Sequence, residues 1–288
     1  MQRDFKVVDV FSATPFQGNP VAVVMNADGL SDDDMQRIAA WTNLSETTFH
    51  LRPTVPGADF RLRIFTPRSE LPFAGHPTLG SAHALMESGL VDTTDGRIVQ
   101  ECGVGLVPIT IEGEAGARVL RLRLPEAKMR DLSDAEQARL VSILGAPLAT
   151  GGKAALVDVG ARWIVSEVES PERLLCLTPD MAASARFESE LGVTGVTVFA
   201  RHASGNGIEV RSFAPSCGVN EDPVCGSGNG SVAAYRLSRR QITDASTYTA
   251  TQGQCVGRAG RLLITTEGEC IHVGGQAVTT VEGKISCG

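Results

Sequence analysis

No stretch of the 288-residue chain is rich in lysine or arginine, and no apolar run approaches the ~20 residues that a membrane span needs. The 26 basic and 33 acidic residues leave a net charge of −7, so a nucleic-acid or anionic-membrane partner is not expected. The opening MQRDFKVVDVF lacks the charged-then-apolar pattern of a secretion signal, and a soluble, cytoplasmic protein is expected. Paired cysteines are also missing. The seven cysteines (Cys102, Cys176, Cys217, Cys225, Cys255, Cys270 and Cys287) are odd in number, widely spaced and never arranged as CxxC. That disfavours a disulfide framework or a structural zinc site and makes reduced thiols the default. Five histidines are too dispersed for a metal cluster. GSGNG at 226–230 lacks the third glycine of a dinucleotide fingerprint, ATGGKAA at 149–155 lacks the flanking residues of a phosphate loop, and no GxSxG occurs. Nicotinamide, nucleotide and serine-hydrolase chemistry drop out with them.

What the sequence does hold is a 42% hydrophobic composition, enough for a substantial core in one large domain or two smaller ones. Short β-branched runs recur along it: KVVDVF, VAVVM, TTFHL, FRLRIF, VPITI, VLRLRL, ALVDV, WIVSEV, VTVFA, IEVRSF, YTATQ, RLLITT and IHVGG. Two segments read as helices. In 31–42 Ser31 is the N-cap before three aspartates, and in 133–144 Ser133 and Glu136 have capping-box spacing. Strands outnumber helices, so an α+β fold with mostly antiparallel pairing is expected.

The two halves resemble each other. RIFTP (63–67) matches RSFAP (211–215) at an offset of 148, and PFAG (72–75) parallels PVCG (223–226). TTFHL parallels VTVFA at an offset of 150, and GNPVAVV parallels GARWIV at 142. Four matches in one order point to an internal duplication, with domains at 1–127 and 128–288. Each half then opens a helix, TLGSAHALMESG or GSVAAYRLSRR, just after a glycine-containing loop. Free backbone N–H groups and the helix dipole favour an anion there. Two such loops facing one another across a cleft would suit a small molecule bearing a carboxylate.

Four motifs, VDVFSATPFQGNPVAVV, NLSETTFHL, PFAGHPTLG and EDPVCGSGNG, together resemble the PhzF-like isomerases of phenazine biosynthesis, which share the diaminopimelate-epimerase fold. The resemblance spans nearly the whole chain. It implies two similar domains, each a strongly curved sheet around a central helix, an active site between them, no cofactor, and a homodimer.

Glu46, in SETTF, matches the family's acid/base glutamate. A carboxylate at the head of a β-branched apolar strand is also where burial raises a pKa toward the range of a general base, although a solvated strand-edge glutamate is the ordinary alternative. Val196 takes the corresponding place in the second half if Phe49 pairs with Phe199. One base without a counterpart suits isomerisation better than stereoinversion. His76 matches the substrate-contacting histidine of GHPT. At a helix N-terminus it is disfavoured as imidazolium, and helix capping is its alternative role. Asp222 matches the family's second-domain aspartate, and an Asx turn before Pro223 is its alternative. Gly75, Gly226 and Ser227 would bind the substrate through their loops. Cys225 opens a CGSG that resembles the second catalytic-cysteine motif of diaminopimelate epimerases, but Ala74 stands at the matching place in the first half. The PhzF-like family commonly has Thr at position 225, then Gly-Ser-Ala-His, where this chain has Gly226, Ser227, Gly228 and Asn229. Two further readings follow: an amino-acid racemase or epimerase assisted by Cys225, and a non-catalytic binding protein on the same fold.

Overall fold

The computed structural model describes every residue except Thr94, Ala115 and Gly288. Its backbone divides into two compact units, Met1–Leu122 with the C-terminal segment from Gly274, and Arg123–Val273. In chain order the first contains β1 (Gln2–Val10), β2 (Asn19–Val24), α1 (Asp32–Thr42), β3 (Thr47–Leu51), β4 (Phe60–Phe65), β5 (Glu70–Leu71), α2 (Gly75–Glu87), β6 (Arg97–Cys102), β7 (Gly105–Glu112) and β8 (Val119–Arg123). There follow β9 (Lys128–Asp131), α3 (Asp134–Leu144), β10 (Ala155–Asp158), β11 (Arg162–Glu167), α4 (Pro171–Leu175), α5 (Met181–Leu191) and β12 (Gly195–Arg201). The chain ends with β13 (Ile208–Ala214), β14 (Val219–Asp222), α6 (Gly226–Ser238), β15 (Thr247–Gln252), β16 (Gly260–Glu267), β17 (Cys270–Gly275) and β18 (Ala277–Ser286).

The pairing repeats strand for strand. In the first unit β1 and β2 are antiparallel, β2 and β3 parallel, β3 and β4 antiparallel, β4 and β6 parallel, and β6 and β7 antiparallel. The second unit gives the same sequence with β10–β11, β11–β12, β12–β13, β13–β15 and β15–β16. The strands of each unit wrap their own helix. Helix α2 packs on β1, β2, β3 and β18, while α6 packs on β10, β11, β12 and β16. Both helices are buried over most of their length, which requires small residues where strands press close. A Cβ on Gly80 would lie 2.9 Å from Val10 and closer still to Val21, and one on Gly230 would overlap Leu124. Every β-branched run named above falls in a strand.

The expected boundary at 127/128 misses one exchange. Strand β9 covers the outer edge of β10 in the second unit. In the first unit that edge of β1 is covered by β18, which pairs antiparallel along it. Residues from Gly274 onward therefore belong with the first unit.

Local chemistry sets the helix ends. Ser31 accepts from the Asp34 amide while the Asp34 carboxylate accepts from the Ser31 amide, and Ser133 and Glu136 do the same. The helices expected at 31–42 and 133–144 begin at these caps. Helices α4 and α5 were not anticipated. Helix α5 joins α3 over a core of Leu140, Leu144, Phe187, Val198 and Phe213. Among the described residues no helix is long and apolar enough to cross a membrane.

Candidate active site

In the first unit Glu46 immediately precedes β3, and its carbonyl accepts from the Ala22 amide of β2 at 3.4 Å. Buried Thr48 then ties β3 to both neighbours, with its Oγ1 donating to the Ala22 carbonyl and lying 2.8 Å from Ser81 Oγ of α2. His76, in the first turn of α2, brings Nε2 to 3.3 Å from Glu46 Oε2. The side chains are 9% and 16% exposed, so this is a nearly dry acid–imidazole pair. Burial pushes the Glu46 carboxyl up from 4.5 to about 7, against a hydrogen bond from Ser45 that favours the ionised form. The N-cap of α2 is Ala74, which makes no side-chain capping hydrogen bond.

In the second unit Asp222 closes β14. That strand is held by a buried bidentate pair in which Arg211 donates to Glu221 at 2.9 and 2.7 Å. The Asp222 Oδ1 accepts from the Val224 amide at 3.1 Å, the Asx-type turn that a residue before proline suggests. Cys225 is the N-cap of α6, its Sγ accepting from the Gly228 amide at 3.3 Å. Burial and then the neighbouring Asp222 charge drive its thiol pKa well above the ordinary value, so the thiol stays protonated. Gln252 braces the loop: its Nε2 donates to the Asp222 carbonyl at 2.8 Å. Its Oε1 accepts from the Cys225 amide at 3.2 Å and from Asn229 Nδ2 at 2.8 Å. From Val224 to Arg236 only Ser227 is not buried.

The structure therefore brings Glu46 to His76 in one unit, and Asp222, Cys225, Gly226 and Ser227 into one turn of the other. Sequence reasoning missed Ser45 and Gln252, and noted Asn229 only as a departure from the family's loop. Ser45 could have been suspected as a hydroxyl next to the candidate base, but nothing local marks Gln252, 27 residues from the amide it binds. Among the described residues no group of three or more histidine, cysteine or acidic side chains could hold a metal ion.

The profile of the phenazine biosynthesis-like proteins, PhzC–PhzF, matches residues 8–283. The chain belongs to this family. It is 42% identical over 261 residues to antisense-enhancing sequence 1 of Schizosaccharomyces pombe, covering 89% of this chain and 88% of that protein. It is 37% identical over 262 residues to the trans-2,3-dihydro-3-hydroxyanthranilate isomerase of Pseudomonas aeruginosa, covering 90% and 88%. A PhzF-family protein of Bacillus anthracis superposes with a TM-score of 0.88 at 25% identity, covering 99% of both chains. A hydroxyproline epimerase from Agrobacterium vitis shares the fold, with a TM-score of 0.69 at 13% identity over 99% of this chain and 92% of that one. The coarse reading, an isomerase of the PhzF type with an epimerase-like α+β fold, stands on these relatives. Against the Gly-Ser-Ala-His expected of the PhzF family, Gly228 has a local reason. A Cβ there would lie 2.7 Å from Thr197 Oγ1, 2.9 Å from Ser212 Oγ and 3.1 Å from Cys225 Sγ. Asn229 is fully buried and donates to the Cys225 carbonyl at 2.9 Å as well as to Gln252.

Proposed function

We propose that the protein is a cofactor-independent isomerase that moves a proton on a small carboxylate-bearing molecule, with Glu46 as the single acid/base. The observation that carries this reading is the Glu46 carboxyl held near 7 beside His76. At neutral pH such a group is populated both as a base and as an acid, as a shuttle requires. The carboxylate takes a proton from one carbon, the electron pair delocalises into adjacent unsaturation, and the same carboxylic acid returns the proton to another carbon. No electrons enter or leave the substrate, so the reaction balances without a redox partner.

His76 and Asp222 hold and polarise the substrate, and the amides of Gly75, Gly226 and Ser227 bind its carboxylate. The substrate of the Pseudomonas relative is a cyclic amino-substituted acid by its name, and that class is proposed for this chain. A thiol-based racemisation fits less well. Cys225 is buried and held protonated, and the matching N-cap of α2 is an alanine, so the second thiol of a two-face mechanism has no counterpart.

Glu46→Gln keeps the shape and removes the basic lone pair. With trans-2,3-dihydro-3-hydroxyanthranilate as first substrate, kcat should fall by at least ~10²- to 10⁴-fold while affinity stays within about tenfold. In deuterated water the wild-type product should retain part of the original hydrogen at the new carbon. Full activity in Glu46→Gln would end this reading.

A further inference from the structure

Trp163 lies in β11 and is 2% exposed. Its register partner on the parallel neighbour β12 is Gly195. A Cβ on Gly195 would overlap the Phe213 carbonyl oxygen and sit 2.7 Å from Cζ3 of the indole, so the ring is packed directly against the glycine. Wedged there, its Nε1 donates to Ser227 Oγ at 3.0 Å. An indole nitrogen can only donate, so the serine oxygen is the acceptor and the hydroxyl proton must go elsewhere. Its other neighbour is Cys225 Sγ at 3.7 Å, a weak acceptor. Ser227 is also the one residue of the α6 N-terminal run that is not buried.

We propose that Trp163 is a positioning residue: by occupying the acceptor side of Ser227 Oγ it commits the hydroxyl to donate to the substrate's carboxylate. This rests on the carboxylate reading above and adds a donor to it that backbone geometry alone does not supply. A hydroxyl that accepts one hydrogen bond is polarised to donate the next more strongly. The pair therefore favours an anionic acceptor at the head of α6, where the backbone dipole points the same way.

Trp163→Phe removes the N–H and keeps an aromatic ring. Calorimetric titration with anthranilate, the aromatic parent of the Pseudomonas relative's substrate, should show affinity lowered roughly three- to tenfold in Trp163→Phe and by a similar factor in Ser227→Ala. The double variant should be no weaker than Ser227→Ala, because the indole acts only through that hydroxyl. In turnover the same losses should appear in KM, with kcat nearly unchanged. Additive losses would assign Trp163 a merely structural role and overturn the proposal, as would equal anthranilate affinity in wild type and Trp163→Phe. If Trp163→Phe does not fold by thermal melting, Ser227→Ala decides alone, and unchanged affinity there overturns it. A wild-type protein that binds no anthranilate would remove the carboxylate reading itself, and this inference with it.

Discussion

Replacing Glu46 by glutamine should stabilise the protein while disabling it, and the stabilisation should depend on pH. The carboxyl titrates at about 7 in the native state, against an ordinary value of 4.5. Below the ordinary value both folded and unfolded chains hold the proton, and the residue contributes no difference. Between the two values the unfolded chain releases its proton while the native state keeps it, so stability falls as pH rises through this window. Above about 7 the native carboxylate is ionised in its desolvated position, and at about 1.4 kcal/mol per pH unit the accumulated cost is about 3 kcal/mol. Glutamine carries none of it. Thermal melts of wild type and Glu46→Gln should therefore nearly coincide at pH 4 and diverge by pH 8, the variant gaining on the order of 6–12 °C in Tm. The wild-type kcat/KM should rise with pH through the same region near 7, as the free enzyme's base ionises. A Tm difference that does not change with pH, or a wild type more stable than the variant at pH 8, would refute the burial account of this carboxyl.

Cys225→Ser should alter turnover only within about fivefold, since a buried, protonated thiol is a poor nucleophile. Peptide mapping after brief iodoacetamide treatment should find the exposed Cys176, Cys217 and Cys255 labelled first, and activity lost in step with Cys225 labelling would contradict this. Gly228→Ala should cost about 1–3 kcal/mol by forcing Thr197 and Ser212 apart, where their hydroxyls now lie 3.1 Å from one another; an unchanged melting temperature would show that the site yields freely. Gln252→Leu should destabilise by about 1–3 kcal/mol and raise KM, because the Asp222 carbonyl, Cys225 amide and Asn229 side chain all lose a partner. Normal KM in a folded Gln252→Leu would show that the brace does not position the loop.

The strands were readable because β-branched residues mark them locally, and α1 and α3 because serine caps and acidic first turns announce a helix. Helix α5 carries Asp180 as N-cap and Gly192 as C-cap, yet its buried face includes Ser184 and Glu188. The two are hydrogen-bonded at 2.7 Å, and Glu188 also accepts from the Ser216 amide. Polar residues buried by tertiary partners erase the apolar periodicity that reveals a helix. Strand β18 is half exposed and contains Gly283, so it offered no apolar run. Glu46 and His76 were reached through resemblance. Locally, Glu46 is indistinguishable from an exposed glutamate, and its burial comes from tertiary packing. Trp163, Gln252 and Asn229 bind partners set by the fold, which no spacing in the chain encodes.

The return of β18 to β1 has a consequence for how the molecule assembles on the ribosome. The second unit is one continuous stretch, Arg123–Val273, and it can fold as soon as that stretch and the end of β17 at Gly275 have emerged. The first unit cannot. One edge of β1 is covered early by β2, but the other presents unpaired backbone groups until β18 has been made, and an open edge invites association with other chains. The late strand also reaches α2: Thr279 Oγ1 donates to Glu87 at 2.7 Å, beside the Lys6–Glu87 pair at 2.6 Å. The helix that carries His76 at its head is thus clasped at its tail by a strand made only after the whole second unit.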